Sequence, residues 1–116
     1  MNKLYDEAIK KLNDDERPLG DLQCSILTFI YREVHRPGVL IATNKRVFFY
    51  GLNLGLEYTE SFLYKDISSI EDKEGIFKEH IVMRVEGEKI KISNILSGNV
   101  DEFISIVRNN INMKKE

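Results

Sequence analysis

Two histidines, one cysteine and a few clustered charges are the side chains here that could do chemistry. A metal site or a general base would need His35 or His80 to meet a Cys, a His or a carboxylate at fixed spacing. Neither does. Glu79 projects from the opposite strand face to His80, and Glu33 lies two residues from His35 in a loop that fixes no geometry. Cys24 sits among Leu22, Ile26 and Leu27, and its closest cations along the chain are Arg17 and Arg32. That pattern describes a buried, inert thiol rather than an activated one. The acidic run Asn13-Asp14-Asp15-Glu16 lacks the spacing and glycine of a calcium loop and reads as a solvated helix end. No Ser, Thr or Cys occupies a nucleophile elbow, and Gly51 to Gly55 is not a phosphate-cradling loop. The expectation is a protein that is not an enzyme and uses no cofactor and no metal.

Apolar side chains without an obvious place in a core are the better lead. The loop from Gly51 to Gly55 carries Leu52 and Leu54 with no charge beside them, which is unusual for a solvated loop. Leu4 and Ile9 lie on the apolar stripe of an N-terminal helix that must bury against its own domain or a neighbour's. These four leucine and isoleucine residues form the candidate protein-interaction surface.

The totals set the frame for any such surface. At 116 residues the chain fits one domain, and 42% hydrophobic with 31% charged residues is ordinary globular composition. Seventeen basic against nineteen acidic residues give a net charge of −2, without the basic excess that phosphate neutralisation demands of a nucleic-acid binder. The N-terminus has no secretory apolar core, and no apolar run approaches the roughly 20 residues that cross a bilayer. One unpaired cysteine fits a reducing compartment. A cytoplasmic location follows as the expectation.

Periodicity places the elements. Leu4, Tyr5, Ala8, Ile9 and Leu12 recur at helical spacing over Lys3 to Leu12, and Pro18 and Gly20 mark a break. Leu22 to Tyr31 reads as a first strand and His35 to Gly38 as a turn. Val39 to Thr43 and Arg46 to Tyr50 form a hairpin around Asn44-Lys45. Both strands are apolar on both faces, which predicts a central, covered hairpin. Leu56 to Leu63 and Ile67 to Asp72 follow, then a second hairpin of His80 to Glu86 and Lys89 to Ser93 around Gly87. The chain closes in a helix capped at Asn99, with Val100, Phe103, Ile104, Val107 and Ile111 on one face. Seven short strands with helices at both ends predict a mainly β antiparallel barrel or sandwich. Residues 1–19 form an N-terminal helical segment and 20–116 the main domain, one structural unit overall.

The stretch Gly38-Val39-Leu40-Ile41-Ala42-Thr43-Asn44-Lys45-Arg46-Val47-Phe48-Phe49-Tyr50 resembles the bacterial pleckstrin-homology (PH) group. A small-apolar strand, Thr-Asn-x-Arg at the hairpin and an aromatic strand carry the likeness. Tyr64-Lys65-Asp66-Ile67-Ser68-Ser69-Ile70 and the closing helix are similar to the same group, related to GRAM-type domains, so the resemblance covers Leu22 to Ile111. It implies a seven-stranded barrel capped by the C-terminal helix, and a binding role rather than an activity. Phosphoinositide-reading PH domains place basic residues around the first hairpin. By that likeness Arg32, His35, Arg36 and Lys45 form a candidate anionic-ligand patch. Glu33 dilutes it, Val39 to Ala42 add no cation, and at about 1 kcal/mol per basic residue it would attach weakly to an anionic membrane. The function expected is therefore a non-catalytic scaffold module that binds a protein partner or self-associates as a homo-oligomer. The alternative is peripheral binding to anionic lipid headgroups.

Overall fold

The computed structural model describes residues 3–28, 34–53, 55–74 and 79–114. Helix α1 is Lys3–Ile9. Seven strands follow: β1 Pro18–Thr28, β2 Val34–Thr43, β3 Arg46–Asn53, β4 Leu56–Leu63, β5 Ile67–Glu74, β6 Glu79–Val85 and β7 Glu88–Ser97. A 3-10 turn, Tyr64–Asp66, links β4 to β5, and helix α2 is Val100–Lys114. The strands form one antiparallel sheet ordered β4-β3-β2-β1-β7-β6-β5, curled so that β4 and β5 are its two end strands. The expected seven-stranded, mainly β, PH-like architecture is what folds.

Two apolar layers hold it together. Inside the curl, Leu22, Ile26, Leu40, Val47, Phe49, Ile70, Ile81, Met83 and Ile92 meet Phe103, Ile104, Val107 and Ile111 from α2. The C-terminal stripe thus plugs the barrel, because alternate strand residues and every third or fourth helix residue are apolar on facing sides. Outside, Val39, Ile41, Phe48 and Tyr50 meet Ala8, with Leu4, Tyr5, Ile9 and Leu12 packed around them. The two-sided apolar character of β2 and β3 is explained by this second layer. Helix α1 ends earlier than its periodicity predicts, at Ile9, where Lys11 and Leu12 bond back only three residues to Ala8 and Ile9. Leu12 keeps its place on the stripe all the same.

Several boundaries differ from those expected, each for a physical reason. Pro18 and Gly20 begin β1 rather than break the chain. Proline is tolerated as a first strand residue, and a side chain on Gly20 would lie 2.8 Å from Ile106 of α2. His35 to Gly38 is strand, not turn. The missing N–H of Pro37 costs little because the β2–β3 ladder begins only at Val39. A side chain on Gly51 would come within 2.7 Å of the Pro37 carbonyl, so glycine lets the two strands approach there. Gly51 to Asn53 continue β3 in register with Tyr58, Glu57 and Leu56, leaving a tight connection in which Gly55 has φ 81°. The end of the first predicted strand, residues 29–31, lies outside the described residues.

Candidate functional site

At the end plugged by α2, the Thr43-Asn44-Lys45-Arg46 turn grips the segment that follows α1. Glu16 is buried there, although its acidic run reads as a solvated helix end. Its carboxylate accepts from Arg46 Nε (2.8 Å) and Nη2 (3.0 Å), from Thr43 Oγ1 (2.6 Å) and from the Asn13 N–H (3.1 Å). Burial alone would push the Glu16 carboxyl up. The bonds from Arg46, Thr43 and Asn13 and the Arg46 charge outweigh it and hold the group below its ordinary value. Arg46 also donates to Ser61 Oγ at 2.6 Å and lies over the Phe48 ring at 4.4 Å. Asn44 donates to the Asp15 carbonyl and accepts the Arg17 N–H, while Tyr64 donates to the Thr43 carbonyl at 2.6 Å. Burial drives the Tyr64 hydroxyl strongly upward, so it serves as a fixed donor. The motif that carries the sequence resemblance is a structural clasp.

The β3–β4 connection lies at the other end, while the β6–β7 turn lies against the 3-10 turn, where the Glu86 N–H donates to the Asp66 carbonyl at 2.9 Å. Thr28 pairs with Val34, Leu27 with Lys91, and β3 and β4 close at Asn53 and Leu56. On the inward face of β4, Tyr58 stacks edge-on against Phe49 at 6.1 Å, carries the Arg36 guanidinium over its ring at 4.0 Å, and donates to Glu60 at 2.8 Å. Burial and the Glu60 carboxylate raise its hydroxyl to about 12. Beside it, a cleft of about 330 Å³ opens between β4 and the β6–β7 hairpin, lined by Glu60, Ser61, Phe62, Val85, Glu86, Glu88 and Ile90. Phe62, Val85 and Ile90 form an apolar floor, and three carboxylates stand around it. Among the described residues none of the three has a cation within ion-pair distance. Leu56 is 75% exposed and Leu52 47% exposed at the β3–β4 turn, the far end of β4 from Phe62.

The structure distributes the sequence candidates unevenly. Lys45 lies just beyond the far end of β2 from Arg36, separated by roughly 23 Å of strand at about 3.3 Å per residue, and pairs with Asp15 at 3.2 Å. Arg36 is engaged with Tyr58. Arg32, Leu54 and the His35 side chain lie outside the described residues. Leu4 and Ile9 are half-buried on the outer layer of their own barrel, which leaves Leu52 exposed with Leu56 at the β3–β4 turn, as Leu19, Leu63, Leu96 and Met113 are elsewhere. Cys24 is buried, and burial pushes its thiol up to about 12. Among the described residues no group of three His, Cys, Asp or Glu could hold a metal ion, and no helix is long and apolar enough to cross a membrane. Sequence reasoning missed the cleft and its glutamates. One local signal could have flagged it: a Glu before Gly87 in a hairpin turn, where Asn, Asp or Gly is expected.

Curated proteins give no sequence match. Solved structures do. The Vps36 N-terminal PH domain superposes with a TM-score of 0.71 at 13% identity, covering 90% of this chain and 86% of that one. The C-terminal domain of an unknown protein from Leishmania infantum gives 0.64 at 16% identity, covering 94% and 92%. A pleckstrin homology domain from Shewanella amazonensis gives 0.55 at 18% identity, covering 95% and 96%. At these identities the likeness is one of fold. The family model described as bacterial PH domain matches residues 12–109, from the end of the α1 stripe into α2. With the plugged, curled sheet and that match over most of its length, the chain belongs to the bacterial PH domain family.

Proposed function

We propose that this domain is a non-catalytic recognition module that binds protein, either a different chain or a second copy of itself, through its open end. One observation carries the proposal: Leu52 and Leu56 are exposed on a tight, strand-paired hairpin where β3 turns into β4. Exposed leucines on a rigid support form a preorganised contact that costs little entropy to immobilise. The lipid alternative has less support, since of its described cations Arg36 lies over Tyr58 and Lys45 pairs with Asp15 beyond the other end of β2, while the cleft by β4 gathers carboxylates.

Two measurements test the proposal together. Light scattering from micromolar to millimolar protein, with affinity capture by wild type and by Leu52→Ser/Leu56→Ser, should give either a concentration-dependent mass or a captured protein that the double variant loses. A constant monomer with identical captures would contradict it. Vesicles of phosphatidylserine and phosphatidylcholine should leave the protein in the supernatant at low and at high salt, whereas salt-sensitive pelleting would favour the headgroup alternative.

A further inference from the structure

The cleft between β4 and the β6–β7 hairpin has a more specific chemistry than the leucine pair. Its floor is Phe62, Val85 and Ile90, and its rim is Glu60, Glu86 and Glu88. A lysine or arginine side chain is apolar along its stem and cationic at its head. Laid across this floor, the stem would cover aliphatic and aromatic surface while the head reached a glutamate. An acidic side chain would meet three like charges, and a purely apolar one would leave the rim uncompensated.

The neighbouring strand offers the matching backbone. Both β4 and β5 end the sheet, but they are treated differently. Arg108 of α2 donates Nε and Nη2 to the Ile70 carbonyl of β5, at 3.2 and 2.8 Å. Among the described residues, no side chain bonds to the backbone of β4 in this way. Edge strands are commonly blunted by lysine, proline or shortness. β4 is eight residues long and has neither lysine nor proline, its charges being the carboxylates Glu57 and Glu60. An extended segment can add to such an edge by main-chain hydrogen bonds, presenting every second side chain to the cleft.

Backbone strain points to the same place. Glu86 has φ 51°, followed by Gly87 at 83°. Both central positions of this two-residue turn require the left-handed region, which Asn, Asp or Gly adopts at lower cost than Glu. The turn alone would therefore select another residue, and a strained carboxylate on a cleft rim is the kind of outlier that accompanies function. We infer that this cleft takes an extended segment of a partner protein that lays lysine or arginine side chains, at alternate positions, along the edge of β4. The inference rests on the recognition-module reading and names its partner's chemistry.

The test is an amide-resolved NMR titration of the whole chain with a short acetylated peptide of alternating Lys and Thr, against controls of alternating Glu and Thr. The Lys peptide should shift resonances at Glu60 to Phe62 and Val85 to Ile90, more weakly at high salt, and the Glu peptide should not. Glu86→Asn suits the turn better, so its melting temperature should equal or exceed that of wild type. Its affinity for the Lys peptide should still fall roughly two- to fivefold, as for loss of one exposed ion pair. No shifts at those residues, equal shifts with the Glu peptide, or unchanged affinity in Glu86→Asn would overturn the inference. Shifts confined to Leu52 and Leu56 with either peptide would overturn it while leaving the recognition module standing. Vesicle pelleting without any peptide shift would sink both.

Discussion

The clasp at the plugged end and the surface along the β4 edge hold similar kinds of side chain and treat them differently. At the plugged end, Glu16 receives four hydrogen bonds and Arg46 is bonded to Glu16 and Ser61 and stacked on Phe48. Around the β4 edge, Glu60, Glu86 and Glu88 line a cleft without an ion pair among the described residues, and Leu56 is exposed at the β3–β4 turn. Folding explains the first arrangement. It does not explain the second, which leaves charges and apolar surface for something else to satisfy. The lesson is that the motif most visible in the sequence stabilises the scaffold.

Mutations in each region test that division. The largest loss is expected for Phe103→Ala, which opens a cavity where α2 enters the core and should cost about 3–5 kcal/mol in urea unfolding. Arg46→Ala should cost about 3 kcal/mol by the same measurement, because it leaves the Glu16 carboxylate buried without its cation. A loss below about 1 kcal/mol would mean that the clasp is not the stabilising device the contrast requires.

A smaller effect is expected from pH. Glu16 has a folded value below the unfolded one. Its stabilisation is therefore complete above the ordinary carboxylate range, near about pH 4.3, and is lost as pH falls through the depressed folded value. Asp21, raised by burial, works in the opposite direction. The clean readout is the difference in melting temperature between wild type and Glu16→Gln, which should narrow on acidification. A gap that widened toward low pH would contradict the assignment of Glu16 to the clasp.

Much of the scaffold was legible along the chain because it is written in local period. Phe103, Ile104, Val107 and Ile111 share a helical face, and β2 and β3 are apolar on both sides, so the plug and the covered hairpin could be read directly. Glu16 could not be read this way, because its partner Arg46 lies thirty residues on and the local run Asn13 to Glu16 looks solvated. The continuation of β2 through Pro37 depends on where its neighbour's ladder starts, which is a tertiary fact. The cleft was invisible for the same reason: Glu60 comes from one edge of the sheet and Glu86 and Glu88 from a hairpin near the other. Sequence proximity to a hairpin also does not say which end of a strand a basic residue occupies: Arg36 lies near the start of β2 and Lys45 just beyond its end.

Urea unfolding of Arg46→Ala beside Leu56→Ser/Glu86→Asn tests the division of labour most directly. The account predicts a loss of about 3 kcal/mol for the first. For the second it predicts a change within about 0.5 kcal/mol, or a gain of up to about 1 kcal/mol from the relieved turn. If the double variant lost as much stability as the clasp variant, those residues would be holding the fold together, and the case for a surface kept free for a partner would fall.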